Sequence, residues 1–175
     1  MSVEIINKKA IARSFGHAAT NYDSVAHFQR WVGSELLLKI PKLDASTIVD
    51  LGCGTGYFLS GLQDSYPKAN LIGFDLSEEM IHFARQSNST NLMSPNIDWL
   101  VGDGESLPFK SGSVDLIFSS LAIQWCGSLK VLFSEIQRVL SDKGVFVFSS
   151  LVDGSLCELK SAWSQVDGDQ HVNAF

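Results

Sequence analysis

The stretch Thr47-Ile48-Val49-Asp50-Leu51-Gly52-Cys53-Gly54-Thr55-Gly56 constrains the fold of this 175-residue chain more than any other. An apolar, β-branched run that breaks into glycines at every second position reads as a strand over 47–50 and a tight turn, with a helix over 57–63. Units of this kind build parallel sheets, and their glycines let a cofactor approach the main chain. The spacing narrows the choice of cofactor. A dinucleotide fingerprint wants a further glycine three residues after Gly54, where Tyr57 stands, and it sets a pyrophosphate over the helix start. A carboxylate at Asp50 would repel a pyrophosphate and attract a cation, so a cofactor with an ammonium end is the better match.

The same arrangement recurs twice downstream. Asn70-Leu71-Ile72-Gly73-Phe74-Asp75 reads as the next strand, with Asp75 placed to accept both hydroxyls of a ribose and Ser77 placed to cap a helix. The distance from turn to acid is close to the ~20 residues expected for a ribose-binding carboxylate. Asp103 follows the run 97–102, where it is placed to accept an adenine amino group. Taken singly, each acid reads first as a solvated loop or cap residue. Taken in order with Gly52, Gly54 and Gly56, the set resembles the class I S-adenosylmethionine-dependent methyltransferases. That resemblance implies S-adenosylmethionine as methyl donor, with S-adenosylhomocysteine as product. It also implies an α/β, Rossmann-like three-layer sandwich with N-terminal helices. The cofactor set it carries over is Asp50, Gly52, Cys53, Gly54 and Gly56 at the turn, Asp75, Leu76 and Met80 after the second strand, and Asp103, Gly104, Glu105 and Ser119 beyond.

Elsewhere strands and helices alternate, as a parallel sheet with helical crossovers requires. Helices are expected at 8–15, closed by Gly16, and from a cap at Asp23 toward Ile40, with Val25, Phe28, Val32, Leu36 and Ile40 on one face. Strands at 71–75, 97–101, 114–118 and 145–149 are joined by helices at 78–85 and 129–140, by a polar loop at 86–95 and by a turn at 142–144. Ser155-Leu156-Cys157-Glu158 has capping-box spacing and predicts a last helix with Leu159, Ala162, Trp163 and Val166 on one side. We read one domain over 1–175: a helical lid at 1–45, a cofactor core at 46–151, and the start of a C-terminal portion at 152–175. Asp50, Asp75, Asp103 and Ser119 then lie at the carboxyl ends of parallel strands, where open α/β sheets bind ligands.

Composition removes several function classes. Thirteen Lys and Arg against nineteen Asp and Glu give a net charge of −6, unsuited to broad nucleic-acid binding. Cys53, Cys126 and Cys157 are odd in number and far apart, as reduced thiols are, and the four histidines have no metal-ligand spacing, so no metal is expected. No run approaches the ~20 apolar residues of a membrane span, and Met1-Ser2-Val3-Glu4 opens no signal sequence. A cytoplasmic protein without membrane contact is the expectation.

The segment Ser119-Ser120-Leu121-Ala122 lacks the Asp/Asn-Pro-Pro-aromatic pattern of enzymes that methylate base amino groups, and 119–127 lacks the carboxylates of metal-dependent catechol methylation. Further segments bring the chain closer to one group: Arg13-Ser14-Phe15-Gly16-His17-Ala18-Ala19-Thr20-Asn21-Tyr22-Asp23, Gly102-Asp103-Gly104-Glu105-Ser106-Leu107-Pro108, Leu121-Ala122-Ile123-Gln124-Trp125-Cys126, Gly154-Ser155-Leu156-Cys157-Glu158-Leu159, and the tail His171-Val172-Asn173-Ala174-Phe175. They resemble the malonyl-acyl-carrier-protein O-methyltransferases of biotin synthesis. The resemblance implies methylation of the free carboxylate of a malonyl thioester. Tyr22 and Gln29 would cover the cofactor, and Gln124 would orient an oxygen near the methyl group. An acidic carrier protein would dock on Lys8, Lys9, Arg13 and Arg30. Family members continue past the position of Phe175, so their C-terminal strands are expected to be missing here. The alternatives are another small-molecule acceptor sharing the same cofactor core, or a truncated cofactor-binding module without turnover.

Overall fold

The computed structural model describes residues 7–89 and 97–166. The opening residues 1–4, the tail motif 171–175 and the part of the expected polar loop from 90 to 95 lie outside them.

Five parallel strands form the sheet: β1 (Thr47–Leu51), β2 (Asn70–Asp75), β3 (Ile97–Val101), β4 (Val114–Ser120) and β5 (Leu140–Ser149). Their order is β3-β2-β1-β4-β5. The chain winds outward from β1 to β3 and then crosses back to β4, so the crevice between β1 and β4 is the switch point where ligands bind in such sheets. The central strands read as continuous apolar runs because both faces are covered. On one face Val49, Leu51, Phe74 and Ile117 pack with Leu132, Ile136 and Val139 of α5 (Leu129–Val139). On the other, Ile48, Leu71, Leu116 and Phe118 pack with Leu59 and Leu62 of α3 (Leu59–Ser65) and Leu36 of α2 (His27–Leu37).

The N-terminal region departs from expectation. Helix α1 runs unbroken from Lys8 to Val25, capped by Asn7, whose side chain accepts the Ala10 N–H at 3.1 Å. Gly16 does not close it. A Cβ there would sit 2.7 Å from Glu79 Oε2 of α4 (Glu78–Ser89), so this glycine permits close packing of α1 on α4. Asp23 lies inside α1 and caps nothing; Ala26 alone joins α1 to α2, which ends at Leu37, short of Ile40. Residues 86–89, expected in a loop, extend α4.

Two corrections fall at the far end. Residues 142–144 do not leave the sheet as a turn; β5 runs through them with a register shift opposite Val114 and Leu116. Helix α6 (Cys157–Trp163) has no side-chain cap, because Ser155 Oγ accepts from Val152 N–H instead. Its apolar residues Leu159 and Trp163, with Val166 just beyond, are exposed.

Candidate cofactor-binding site

The turn after β1 needs its glycines for stated reasons. Gly52 has φ +77° and a Cβ there would collide with the Ala122 side chain; Gly54 has φ +53° with nothing within 4 Å of where its Cβ would be. Backbone of this hand disfavours side chains, and the open space over Gly54 is room for a ligand. Gly56 packs instead against Trp99.

Asp75 braces this turn from β2. Its Oδ2 accepts the Gly54 N–H at 2.8 Å and its Oδ1 the Ser77 N–H at 2.9 Å. Each oxygen keeps a lone pair for a further donor. Ser77 caps α4 through the Met80 N–H at 3.3 Å. Burial pushes the Asp75 carboxyl up, against the pull of those backbone donors.

Asp50 is 1% exposed, and its Oδ2 has no hydrogen-bond partner. Burial, and then the charge on Asp75, push its pKa up to about 8. An unpaired carboxylate oxygen at this depth is costly unless something neutralises it. A cationic group arriving beside it would do so, and the residues present therefore fit a cofactor with an ammonium end.

Three adjoining lobes that share lining residues lie along the carboxyl ends of the strands. One lobe reaches Asp50 and Cys53, beneath Gln29 and Asp23; the next reaches Asp75, Leu76 and Met80; a third reaches Asp103, Gly104 and Trp125. Tyr22, Gly52, Gly54 and Ser120 line both of the first two lobes. Burial, followed by the charges of Asp75 and Asp23, raises the Tyr22 phenol pKa.

Four expected site residues face elsewhere. Ser119 is fully buried and donates to the Leu51 carbonyl at 2.7 Å, so its neighbour Ser120 lines the cavity instead. Glu105 Oε1 accepts the Gly127 N–H at 2.6 Å and pairs with Lys8 at 2.7 Å. Gln124 donates to the Leu121 carbonyl at 2.8 Å and accepts from Ser150 Oγ at 3.4 Å. Gly56 has the packing role given above. Trp125, in edge contact with Phe15 at 5.4 Å between centroids, lines the cavity and was not singled out from sequence. Its place as the one aromatic residue of the stretch 119–127, just after β4, was the available signal.

Helices α1 and α2 hold this site at both ends. Thr55 Oγ1 donates to Asp23 Oδ1 at 2.8 Å, and Arg30 donates to the Asp23 carbonyl and lies over the Tyr57 ring. At the other end Lys8 Nζ pairs with Asp103 Oδ2 at 2.6 Å as well as with Glu105. Burial pulls the Lys8 pKa down, but the two carboxylates outweigh it and leave the pKa raised. Lys8 and Arg30, expected to face a partner, are thus engaged within the chain; Lys9 and Arg13 remain exposed. Lys8→Met is expected to speed amide exchange over the first two turns of α1 about fivefold, with Lys8→Arg near wild type, since two partly screened pairs are worth about 1 kcal/mol. Unchanged exchange by mass spectrometry would remove this latch.

Among the described residues no helix is long and apolar enough to cross a membrane, and no three His, Cys, Asp or Glu side chains gather to hold a metal ion. Residues 49–148 match the family model described as methyltransferase domain. The chain is 46% identical over 171 residues to the biotin biosynthesis bifunctional protein BioHC of Cellvibrio japonicus, covering 97% of this chain and 33% of that protein. It is 40% identical over 175 residues to the malonyl-[acyl-carrier protein] O-methyltransferase of Pectobacterium atrosepticum, covering 100% and 66%. The chain thus spans from a third to about two thirds of the length of these relatives. The solved S-adenosylmethionine-dependent methyltransferase of Mesorhizobium loti superposes with a TM-score of 0.59 at 32% identity, over 68% of this chain and 53% of that one. A β1 that ends in a glycine turn, an acid at the carboxyl end of each of three strands and a Rossmann-like sheet of this order agree with these likenesses, and the chain belongs to the methyltransferase domain family, in its class I, S-adenosylmethionine-dependent branch.

Proposed function

We propose that the protein methylates the free carboxylate of a malonyl thioester on acyl carrier protein, a step of biotin synthesis. The observation that carries this reading is the 40% identity, over every residue of the chain, to an enzyme named for that reaction. In this reading Asp50 takes the ammonium of the cofactor, Asp75 the ribose and Asp103 the adenine amino group. Helices α1 and α2, within 1–45, serve as the lid, with Tyr22 and Gln29 on them covering the cofactor. Bound S-adenosylmethionine supplies an electrophilic methyl group on a sulfonium.

The chain's own task is then small. The acceptor carboxylate is ionised near neutral pH and needs no general base. Alignment and drying of its oxygen dominate. The aromatic groove of Phe15, Tyr22 and Trp125, open along α1, supports this because it offers water few partners. Lys9 and Arg13, exposed on α1, are the cations left to meet an acidic carrier.

Incubation with methyl-labelled S-adenosylmethionine and malonyl-acyl carrier protein is expected to yield a base-labile methyl ester on the carrier. Label transferred to some other small acceptor, with none on the carrier, would overturn the reading.

A further inference from the structure

We propose that Ser120 is the residue that orients the acceptor's carboxylate oxygen, an inference that rests on the malonyl-thioester reading. Three observations carry it. The first is position. A ligand with its cation in the Asp50 lobe and its ribose at Asp75 must pass its sulfonium through the junction of those lobes, and of the four residues lining both, only Tyr22 and Ser120 carry side chains.

The second is the hydroxyl partner behind it. Ser120 Oγ lies 3.2 Å from Ser149 Oγ on the neighbouring strand, and Ser149 Oγ also accepts the Leu121 N–H at 3.1 Å. Either hydroxyl can donate across this contact, and an anionic oxygen in the cavity selects the arrangement in which Ser149 donates to Ser120. The Ser120 O–H is then free to donate into the cavity, where an anionic oxygen is the strongest acceptor.

The third is backbone strain. Leu121 has φ +51°, uncommon for a leucine. That conformation ends β4 immediately after Ser120 and aims the Leu121 N–H at both the carbonyl and the hydroxyl of Ser149. Strain of this kind is retained where it serves a site.

One carboxylate oxygen accepts from Ser120 while the other attacks the methyl carbon. A C–O bond forms, the C–S bond breaks, and the sulfur keeps the electron pair as a neutral thioether. No proton moves, and Ser120 stays a hydroxyl; it is a positioning donor.

The test compares wild type with Ser120→Ala, Ser120→Thr and Ser149→Ala. Calorimetry gives the affinity of malonyl-acyl carrier protein for the protein saturated with S-adenosylhomocysteine, and the affinity for S-adenosylhomocysteine itself; methyl transfer gives kcat/KM. Loss of one hydrogen bond to a charged oxygen is expected to weaken carrier binding about 10-fold and lower kcat/KM about 10- to 100-fold in Ser120→Ala. S-adenosylhomocysteine affinity stays within about twofold, which also shows that the variant is folded. Threonine restores most of the loss and Ser149→Ala gives a partial one. Carrier affinity and kcat/KM unchanged in Ser120→Ala would overturn the assignment, as would a parallel loss of S-adenosylhomocysteine affinity. A wild-type protein that neither binds nor methylates the carrier overturns the functional reading itself, and this inference with it. An active wild type with indifferent variants removes Ser120 alone.

Discussion

Asp50→Asn is expected to weaken S-adenosylmethionine binding by about 100-fold or more while making the ligand-free protein more stable above about pH 6. Both effects follow from one buried carboxyl. In the folded chain its pKa is about 8, against 3.8 for the ordinary group. Between those values the folded state holds a proton that the unfolded state has released, so stability falls as pH rises from about 4 to about 8. Asparagine cannot ionise and removes that slope; the raised pKa of Asp75 leaves its own, of the same sign. The cofactor's ammonium reverses the balance, because it is attracted to the ionised form. Binding therefore releases a proton from Asp50, and wild-type affinity is expected to rise from pH 6 toward 8 and then level off. Calorimetry across that range, with melting curves of both proteins, checks all three statements. Equal affinity in the variant would sink the assignment of Asp50, and an unchanged dependence of Tm on pH would show that its carboxyl is not buried as described.

The parts of this fold that were legible in the sequence are those where local chemistry and tertiary demand coincide. Strand β3 falls at 97–101 in both sequence and structure because an apolar alternation ends there in Gly102 and Asp103. The glycine turn was legible because φ above zero leaves few residue choices. Gly16 misled because a glycine that ends a helix and one that admits a neighbouring helix look alike in sequence. Gly144 misled similarly: a Cβ there would lie 2.9 Å from the Val114 carbonyl, so it marks close approach within the sheet, not an exit from it. In the site, reading β4 as ending at Phe118 put Ser119 at its tip. The strand continues to Ser120, and because side chains alternate, one residue of slip exchanged a buried hydroxyl for one facing the cavity. Lys8 and Arg30 were read as docking cations because their partners within the chain, Asp103, Glu105 and the Asp23 carbonyl, are brought to them only by packing of α1 and α2 over the sheet.

The 175-residue chain on its own is expected to self-associate through its β5 edge. Strand β5 pairs with β4 on one side and, among the described residues, with nothing on the other. An unpaired edge presents N–H and C=O groups to any passing strand, and proteins usually cover or charge such edges. Here the neighbouring surface is aromatic instead. Phe146 and Phe148 stack at 4.7 Å between centroids, and Phe133 of α5 meets both at about 6 Å. Phe133 is 40% and Phe148 42% exposed, and Leu129, one turn before Phe133 on the same face of α5, is exposed as well. Edge and patch together favour pairing of two copies or cover by further polypeptide, either of which removes apolar surface from water. Sedimentation of the wild-type chain should therefore show a weight that climbs with concentration. Phe133→Lys with Phe148→Lys should shift it to monomer by placing like charges across the contact, and it should leave S-adenosylhomocysteine affinity unchanged because neither side chain lines the cavity. A wild-type chain that stays monomeric at every concentration would show that the stacked phenylalanines already shield this edge, and that three aromatic rings suffice where other proteins use charge.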